Sequence, residues 1–239
     1  MTATLSLALL AGGLATRLRP RTDRVPKALI EVAGEPFVFH QLRIARREGI
    51  RRVVLCVGYL GPEIEDTVGD GRDFGLDITY SRETEALLGT GGALRHALPL
   101  LGDSFLVQYG DSLLDLPFAP IIAAFHASGK QGLMTVFRNE GRWDASNVEF
   151  ARGEIRRYDK IDRTPAMAHI DYGLGALSAS ALLPWPDSAR FDLAGVYRRL
   201  LAAGELAGFE VDRRFYEIGS PEGLAETSRY LAQIKRDAG

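Results

Sequence analysis

The chain of 239 residues has a single cysteine, Cys56. No intrachain disulfide can form, and a cysteine-rich zinc site is excluded. That usage fits a reducing compartment, so a cytoplasmic location is expected. No apolar run approaches the roughly 18 residues of a transmembrane helix, and no membrane association is expected. The apolar stretch Leu5–Ala11 imitates the core of a secretory leader. No Lys or Arg precedes it, however, and Gly12-Gly13 follows it, so a buried first strand is the expectation. Neither charge is in surplus: 29 Lys plus Arg stand against 31 Asp plus Glu, a net of −2. That argues against a nucleic-acid-coating protein or a polybasic membrane binder. Motifs are missing too. There is no G-x-x-x-x-G-K-[ST], no G-x-G-x-x-G after the first strand, no G-x-S-x-G, and no H-E-x-x-H among the four histidines. P-loop, dehydrogenase, serine-hydrolase and metalloprotease readings lose their main support.

What is present is a regular alternation. Apolar runs at Leu5–Ala11, Arg52–Val57, Asp77–Tyr80, Phe105–Gln108 and Gly132–Phe137 read as strands. Pro36–Glu48, Pro62–Val68, Gly91–Leu100 and Pro117–Ala127 between them read as helices. Strands alternating with helices mean an α/β fold with a mostly parallel, Rossmann-like sheet flanked by helices. After Phe137 the rhythm changes. Asn147–Phe150, Glu154–Tyr158 and Ile170–Leu177 read as strands without intervening helices, a small antiparallel annex. Asp192–Ala203 and Pro221–Lys235 read as helices around a strand at Leu206–Val211. No linker or repeat divides the chain, so residues 1–239 are expected to form one domain.

Ligands of such sheets sit beyond the C-terminal ends of strands, and two candidate segments fall there. Gly12-Gly13 follows the first strand, and Arg17, Arg19, Arg21, Arg24 and Lys27 crowd the next residues against one acid, Asp23. Backbone N–H groups with clustered cations suit a polyphosphate, and a solvated basic loop is an equal reading on composition alone. Gly110-Asp111 follows an apolar strand, where a carboxylate points into the ligand crevice or caps the next turn.

Gly12-Gly13-Leu14-Ala15-Thr16-Arg17-Leu18-Arg19-Pro20, followed by Pro26-Lys27-Ala28-Leu29, resembles the sugar-1-phosphate nucleotidyltransferases. Gly89-Thr90-Gly91-Gly92-Ala93, Gly110-Asp111 and Glu217-Ile218-Gly219-Ser220 follow in that family's order. The resemblance spans almost the whole chain and is closest to the short mannose- or heptose-1-phosphate guanylyltransferases. It implies transfer of a nucleoside monophosphate from an NTP, GTP favoured, to a sugar 1-phosphate, with Mg2+ as cofactor. It further implies a nucleotide-binding core over residues 1–137, a sugar-phosphate part over 138–220 and a C-terminal helix over 221–239. The protein is expected to be a monomer or a homodimer. The alternatives are a uridylyltransferase acting on N-acetylmuramate 1-phosphate and a non-catalytic nucleotide-sugar-binding regulator.

Carried onto this chain, the resemblance implies Arg17, Lys27 and Asp111 as catalytic residues. Ala11, Gly12, Gly13, Thr16, Glu85, Gly89, Thr90, Gly91 and Gly110 are implied to bind the nucleotide, with Glu85 facing the base. Asn147, Lys160, Asp171 and Tyr172 are implied to bind the sugar phosphate, Lys160 on the phosphate itself. Asp111 and Glu217 are implied to hold the metal. The chain departs from the family pattern at four places. Glu217 stands for Asp, Asp171 for Asn, Ser146 for a glycine, and Asp159 with Ile161 flank Lys160 where E-K-P is commoner. No hexapeptide repeat follows, so an attached β-helix domain is not expected.

Overall fold

The computed structural model describes residues 5–13, 25–83 and 86–237. Strand β1 (Ser6–Leu10) leads to a two-residue-strand hairpin, β2 (Glu31–Val32) and β3 (Glu35–Pro36). Then come α1 (Phe37–Arg47), β4 (Arg52–Val57), α2 (Gly61–Val68), β5 (Asp77–Arg82), α3 (Gly89–Leu101), β6 (Ser104–Tyr109), β7 (Ser112–Leu113), α4 (Ala119–Ser128) and β8 (Gly132–Arg138). The remainder is β9 (Val148–Ala151), β10 (Glu154–Tyr158), β11 (His169–Ser178), α5 (Leu193–Ala202), β12 (Leu206–Val211), β13 (Tyr216–Glu217) and α6 (Pro221–Asp237). Helix α1 starts after Pro36, whose fixed φ suits a helix entry, and is closed by Gly49 at φ 87°.

The main sheet is parallel through β5-β4-β1-β6. Strand β11 then runs antiparallel between β6 and β8, and β12 lies parallel to β8 at the far side. Side chains of alternate residues go to opposite faces. Leu7, Leu9, Val53, Leu55 and Leu106 pack under α1, α2 and α4. Ala8, Val54, Cys56, Phe105 and Val107 pack under α3 and α5. Both faces are covered, which is why these strands read as unbroken apolar runs rather than alternating ones. A third cluster, with Ile30, Phe37, Leu113, Ile218 and Leu224, joins the β2–β3 hairpin to β7, β13 and α6.

The expected annex is smaller than its sequence pattern implied. Only β9 and β10 form a peripheral hairpin, joined to β11 at His169–Val148. Strand β11 belongs to the main sheet, because eight of its ten residues are buried and it is sandwiched by helices on both sides.

The same alternation corrects one site expectation. Asp171 and Tyr172 are neighbours on β11, so they face opposite ways. Asp171 turns toward the α3–α5 face. Tyr172 is 1% exposed in the opposite core, with Phe137 and Phe215 rings at 6.3 and 6.0 Å. Tyr172 is therefore a core residue, not a sugar-phosphate ligand. Its hydroxyl is buried without a hydrogen-bond partner among the described residues. An unpaired buried hydroxyl costs about 1–3 kcal/mol. Tyr172→Phe should thus leave stability to denaturant unchanged or raised, with no change in any sugar-phosphate affinity. A large loss in either would return Tyr172 to the site.

Candidate active site

A crevice of about 380 Å³ opens at the C-terminal ends of β1, β4, β5 and β6. Eight of the residues singled out from sequence line it: Ala11, Gly12, Gly13, Lys27, Gly89, Thr90, Gly110 and Asp111. A side chain on Gly110 would run into the carbonyl oxygen of Leu10, which accepts the Gly110 N–H at 3.1 Å. Glycine is what lets β1 and β6 close together there. Among the described residues nothing stands within 4 Å of where a Cβ on Gly13 would be. Arg17, Thr16 and Glu85 lie outside the described residues.

Charged groups converge at one end. Lys27 Nζ donates to Asp111 Oδ2 at 2.7 Å. Antiparallel pairing of β13 with β7 sets Glu217 opposite Ser112, and the Ile218 N–H donates to the Asp111 carbonyl at 3.0 Å. A methyl group on Gly219 would stand 2.7 Å from Glu217 Oε2, 3.2 Å from Lys27 Nζ and 3.5 Å from Asp111 Oδ2, so the three charges surround one point. Burial works against ionisation of Asp111. The Lys27 ammonium and the Ser112 hydroxyl overcome it and hold the carboxyl below its usual range. The longer Glu217 side chain folds back on its own turn. Its Oε2 accepts from the Gly219 N–H and its Oε1 from the Ser220 hydroxyl at 2.6 Å. Ser220 in turn caps α6 by accepting from the Gly223 N–H at 3.0 Å.

The donor set fits magnesium. Asp111 and Glu217 are hard oxygen donors, and no group of three or more potential ligands occurs among the described residues. Two protein carboxylates completed by substrate phosphates is how that ion is commonly held, whereas an all-protein cage needs more ligands.

The other end is mainly apolar. Among the described residues Leu10, Cys56, Leu87 and Ala93 line it, together with Glu83 at the end of β5. Burial raises the Glu83 carboxyl above its usual range, against a hydrogen bond from the Leu88 N–H to Oε1 at 2.7 Å. Its Oε2 lies 3.3 and 3.2 Å from where Cβ atoms would stand on Gly12 and Gly58, so these glycines make room for it. Sequence reasoning missed Glu83, although its place directly after an apolar strand was a usable signal. Cys56 is no nucleophile, since burial and then the Glu83 charge push its thiol up to about 12.

Gly91 does not line the crevice. Its N–H and that of Gly92 donate to the Phe191 carbonyl at 3.0 and 3.1 Å, and a Gly91 side chain would strike the Phe191 ring. The space these glycines leave is filled by the chain itself. Thr90 Oγ1 accepts the Leu193 N–H at 2.8 Å and so caps α5. A strap over residues 185–192 is thereby latched to α3, with Trp185 and Phe191 stacked at 4.8 Å and Asp192 in the crevice wall.

Beside the charged end lies a second group of expected residues. Asn147 is buried, and its Oδ1 accepts the Asp171 N–H at 2.9 Å. Lys160 and Asp171 gather around Tyr109, which lines the crevice. Two supports were not foreseen from sequence. Arg214 sits between the Trp143 and Tyr216 rings at 4.5 and 4.7 Å, and Tyr216 stacks on Tyr230 at 4.0 Å, which anchors β13. Gln41 on α1, 2% exposed, donates from Nε2 to the carbonyls of Tyr109 at 3.3 Å and Ser112 at 2.9 Å, bracketing Asp111.

The sequence model of the nucleotidyl transferase family matches residues 8–146, more than half of the chain. The chain belongs to the nucleotidyl transferase family. Among relatives, the N-acetylmuramate alpha-1-phosphate uridylyltransferase of Neisseria meningitidis is 42% identical over 121 residues, covering 50% of this chain and 51% of that one. The mannose-1-phosphate guanylyltransferase catalytic subunit beta of Danio rerio is 29% identical over 240 residues, 96% of this chain and 66% of that one. The chain thus spans half to two thirds of the length of these curated relatives. Two solved structures share the fold. A putative glucose-1-phosphate thymidylyltransferase from Bacillus anthracis aligns with a TM-score of 0.85 at 18% identity over 95% of both chains. HddC from Yersinia pseudotuberculosis complexed with GMP-PN aligns with a TM-score of 0.78 at 21% identity over 95% of this chain and 100% of that one.

In this member of the family, Gln41→Leu should loosen the Asp111 loop. The expected result is a loss of about 1 kcal/mol in unfolding free energy, with a larger proportional fall in turnover. Unchanged turnover would mean that Gln41 does not position Asp111.

Proposed function

We propose that this protein transfers a nucleoside monophosphate from an NTP to a sugar 1-phosphate, releasing pyrophosphate. The observation that carries this reading is the convergence of Lys27, Asp111 and Glu217 on one point at the end of a glycine-walled crevice. A sugar-phosphate oxygen attacks the α-phosphorus, and the bond to the β-phosphate oxygen breaks, its electron pair leaving with pyrophosphate. The attacking phosphate is already ionised near neutral pH, since its second pKa is about 6. No general base is required, which agrees with a crevice whose cysteine is inert. The demand is charge compensation and alignment.

Backbone N–H groups at Gly12-Gly13 cradle the triphosphate, and Lys27, in the crevice wall, compensates charge as the phosphates separate. Arg17, outside the described residues, takes the same role from the family resemblance. Asp111 and Glu217 would hold magnesium, which would supply electrostatic stabilisation of the charge on the reacting phosphates. Lys160 takes the sugar phosphate.

GTP is favoured as donor. At the apolar end Glu83 is the described group placed to read the base, while Glu85 lies outside the described residues. A carboxylate accepts from the adjacent N–H and NH2 groups of guanine, whereas uracil and thymine flank their single N–H with carbonyl oxygens. Mannose- or heptose-type sugars are favoured as acceptors, in keeping with the guanylyltransferase relative. A uridylyltransferase acting on N-acetylmuramate 1-phosphate is the second reading, favoured by the 42% identity over 121 residues. A cytoplasmic location and a monomer or homodimer belong to the same proposal.

Pyrophosphate release should be screened with four NTPs against mannose-, heptose-, glucose- and N-acetylmuramate 1-phosphates, with and without magnesium. Arg17→Ala and Lys27→Ala should each lower turnover about 10²-fold or more, and Asp111→Asn should abolish the metal-dependent rate in a folded protein. Near-wild-type turnover in these variants would sink the assignment. Glu83→Gln should raise KM for GTP while leaving KM for the sugar phosphate unchanged; the reverse pattern would remove Glu83 from the base compartment.

A further inference from the structure

Asp171 stands where the resemblance implies a sugar ligand, yet its side chain is only 3% exposed. Its carboxylate is supplied from within the protein. Oδ2 accepts from the Tyr109 hydroxyl at 3.0 Å and the Tyr158 hydroxyl at 3.2 Å. Oδ1 accepts the Gly173 N–H at 3.2 Å. Gly173 lies in the irregular stretch of β11, with φ of 95°, a conformation glycine adopts without strain. Asn147 fixes the backbone of Asp171 from the other side. An acceptor this enclosed and this well supplied is closed to a sugar hydroxyl.

Its outward link is to Lys160. The ammonium lies 3.8 Å from Asp171 Oδ2, 3.5 Å from the Tyr109 hydroxyl oxygen and 5.0 Å from the Tyr109 ring centroid. An anion, a lone pair and a π face therefore hold one cation. Asp171 and Tyr109 sit on β11 and β6, which pair in the main sheet, while Lys160 sits in the bend after β10. The rigid sheet thus fixes the head of a long side chain whose own backbone lies in a loop. Tyr109 is also a wall of the crevice, two residues before Asp111. An ammonium has three donors. With one turned to the phenol oxygen, the others stay available to an incoming phosphate.

We propose that Asp171 is a positioning residue: through the Tyr109 hydroxyl it holds the Lys160 ammonium where the phosphate of the sugar 1-phosphate arrives. Asp171 thereby contributes to affinity for the phosphate group and not to recognition of the sugar ring. The inference rests on the role proposed above for Lys160.

The test is a double-mutant cycle on Lys160→Ala, Asp171→Ala and the combined variant, with Asp171→Asn and Tyr109→Phe beside it. KM for both substrates is measured, as is binding of methyl phosphate, which has no sugar ring, by phosphorus NMR. Asp171→Ala should raise KM for the sugar 1-phosphate about tenfold and leave KM for the NTP unchanged. Methyl phosphate affinity should fall by the same factor. The combined variant should be no worse than Lys160→Ala alone, and Tyr109→Phe should reproduce part of the loss. Additive losses in the combined variant would overturn the proposal. So would a loss confined to the sugar 1-phosphate, because Asp171 would then read the ring. Where Asp171→Ala does not fold, Asp171→Asn carries the cycle: it keeps the shape and an acceptor but removes the charge, and the same pattern is expected. A wild type that releases no pyrophosphate with any substrate pair defeats the functional reading instead. The methyl phosphate cycle still decides the link between Asp171 and Lys160, and a wild type that does not bind methyl phosphate overturns it.

Discussion

Lys27 and Asp111 are 84 residues apart in sequence and 2.7 Å apart in space. Much of the charged end of the crevice is arranged around that contact. Asp111 is only part-buried at the end of a central strand, and partial desolvation of a carboxylate is offset when a cation pairs with it. Lys27 supplies the pair, and Gln41 and the β7–β13 ladder fix the loop that carries Asp111. Glu217 then joins the same point because β13 pairs beside Asp111 and because Gly219 leaves the middle open. A substrate phosphate entering there meets groups already in place, which is the condition for electrostatic catalysis without reorganisation.

The crevice is divided by polarity. Lys27 and Asp111 line one end, with Glu217 and Lys160 close by, while Glu83 sits among Cys56 and aliphatic side chains at the other. A near-neutral chain can hold a strong local field because its charges are sorted in space rather than in number. The strap over residues 185–192 closes one wall through backbone hydrogen bonds to α3, so the glycines of the Gly89–Ala93 segment serve two ends. Gly89 borders the crevice, Gly91 admits Phe191, and Gly92 admits the backbone of Ala189.

Most of the sheet was legible in the sequence. Strands covered on both faces leave continuous apolar runs, and β4, β10 and β12 coincide with their expected bounds. The short pieces were not legible. The β2–β3 hairpin, β7 and β13 are two residues per strand and carry no period, yet β7 and β13 set Asp111 beside Glu217. Tyr172 was misassigned because a motif names neighbours without saying which way each one points. The two-residue period of β11 separates it from Asp171. Glu83 was missed because β5 runs two residues past its expected end at Tyr80, and strand ends are the least certain part of a sequence pattern.

By itself the sequence determined the α/β alternation, the glycines after β1 and β6, and the family to which the motifs belong. These are local matters, written in hydrophobic period and in residues that permit close backbone approach. Only the tertiary structure decided that Asp171 is sealed behind two tyrosines, that Gly91 packs on Phe191, and that the longer Glu217 side chain is absorbed by its own turn. The first two depend on what distant segments press against the residue, and the third on how a longer side chain meets its own turn. A side chain's chemistry is set by its composition, but whether that chemistry reaches a ligand is set by what covers it.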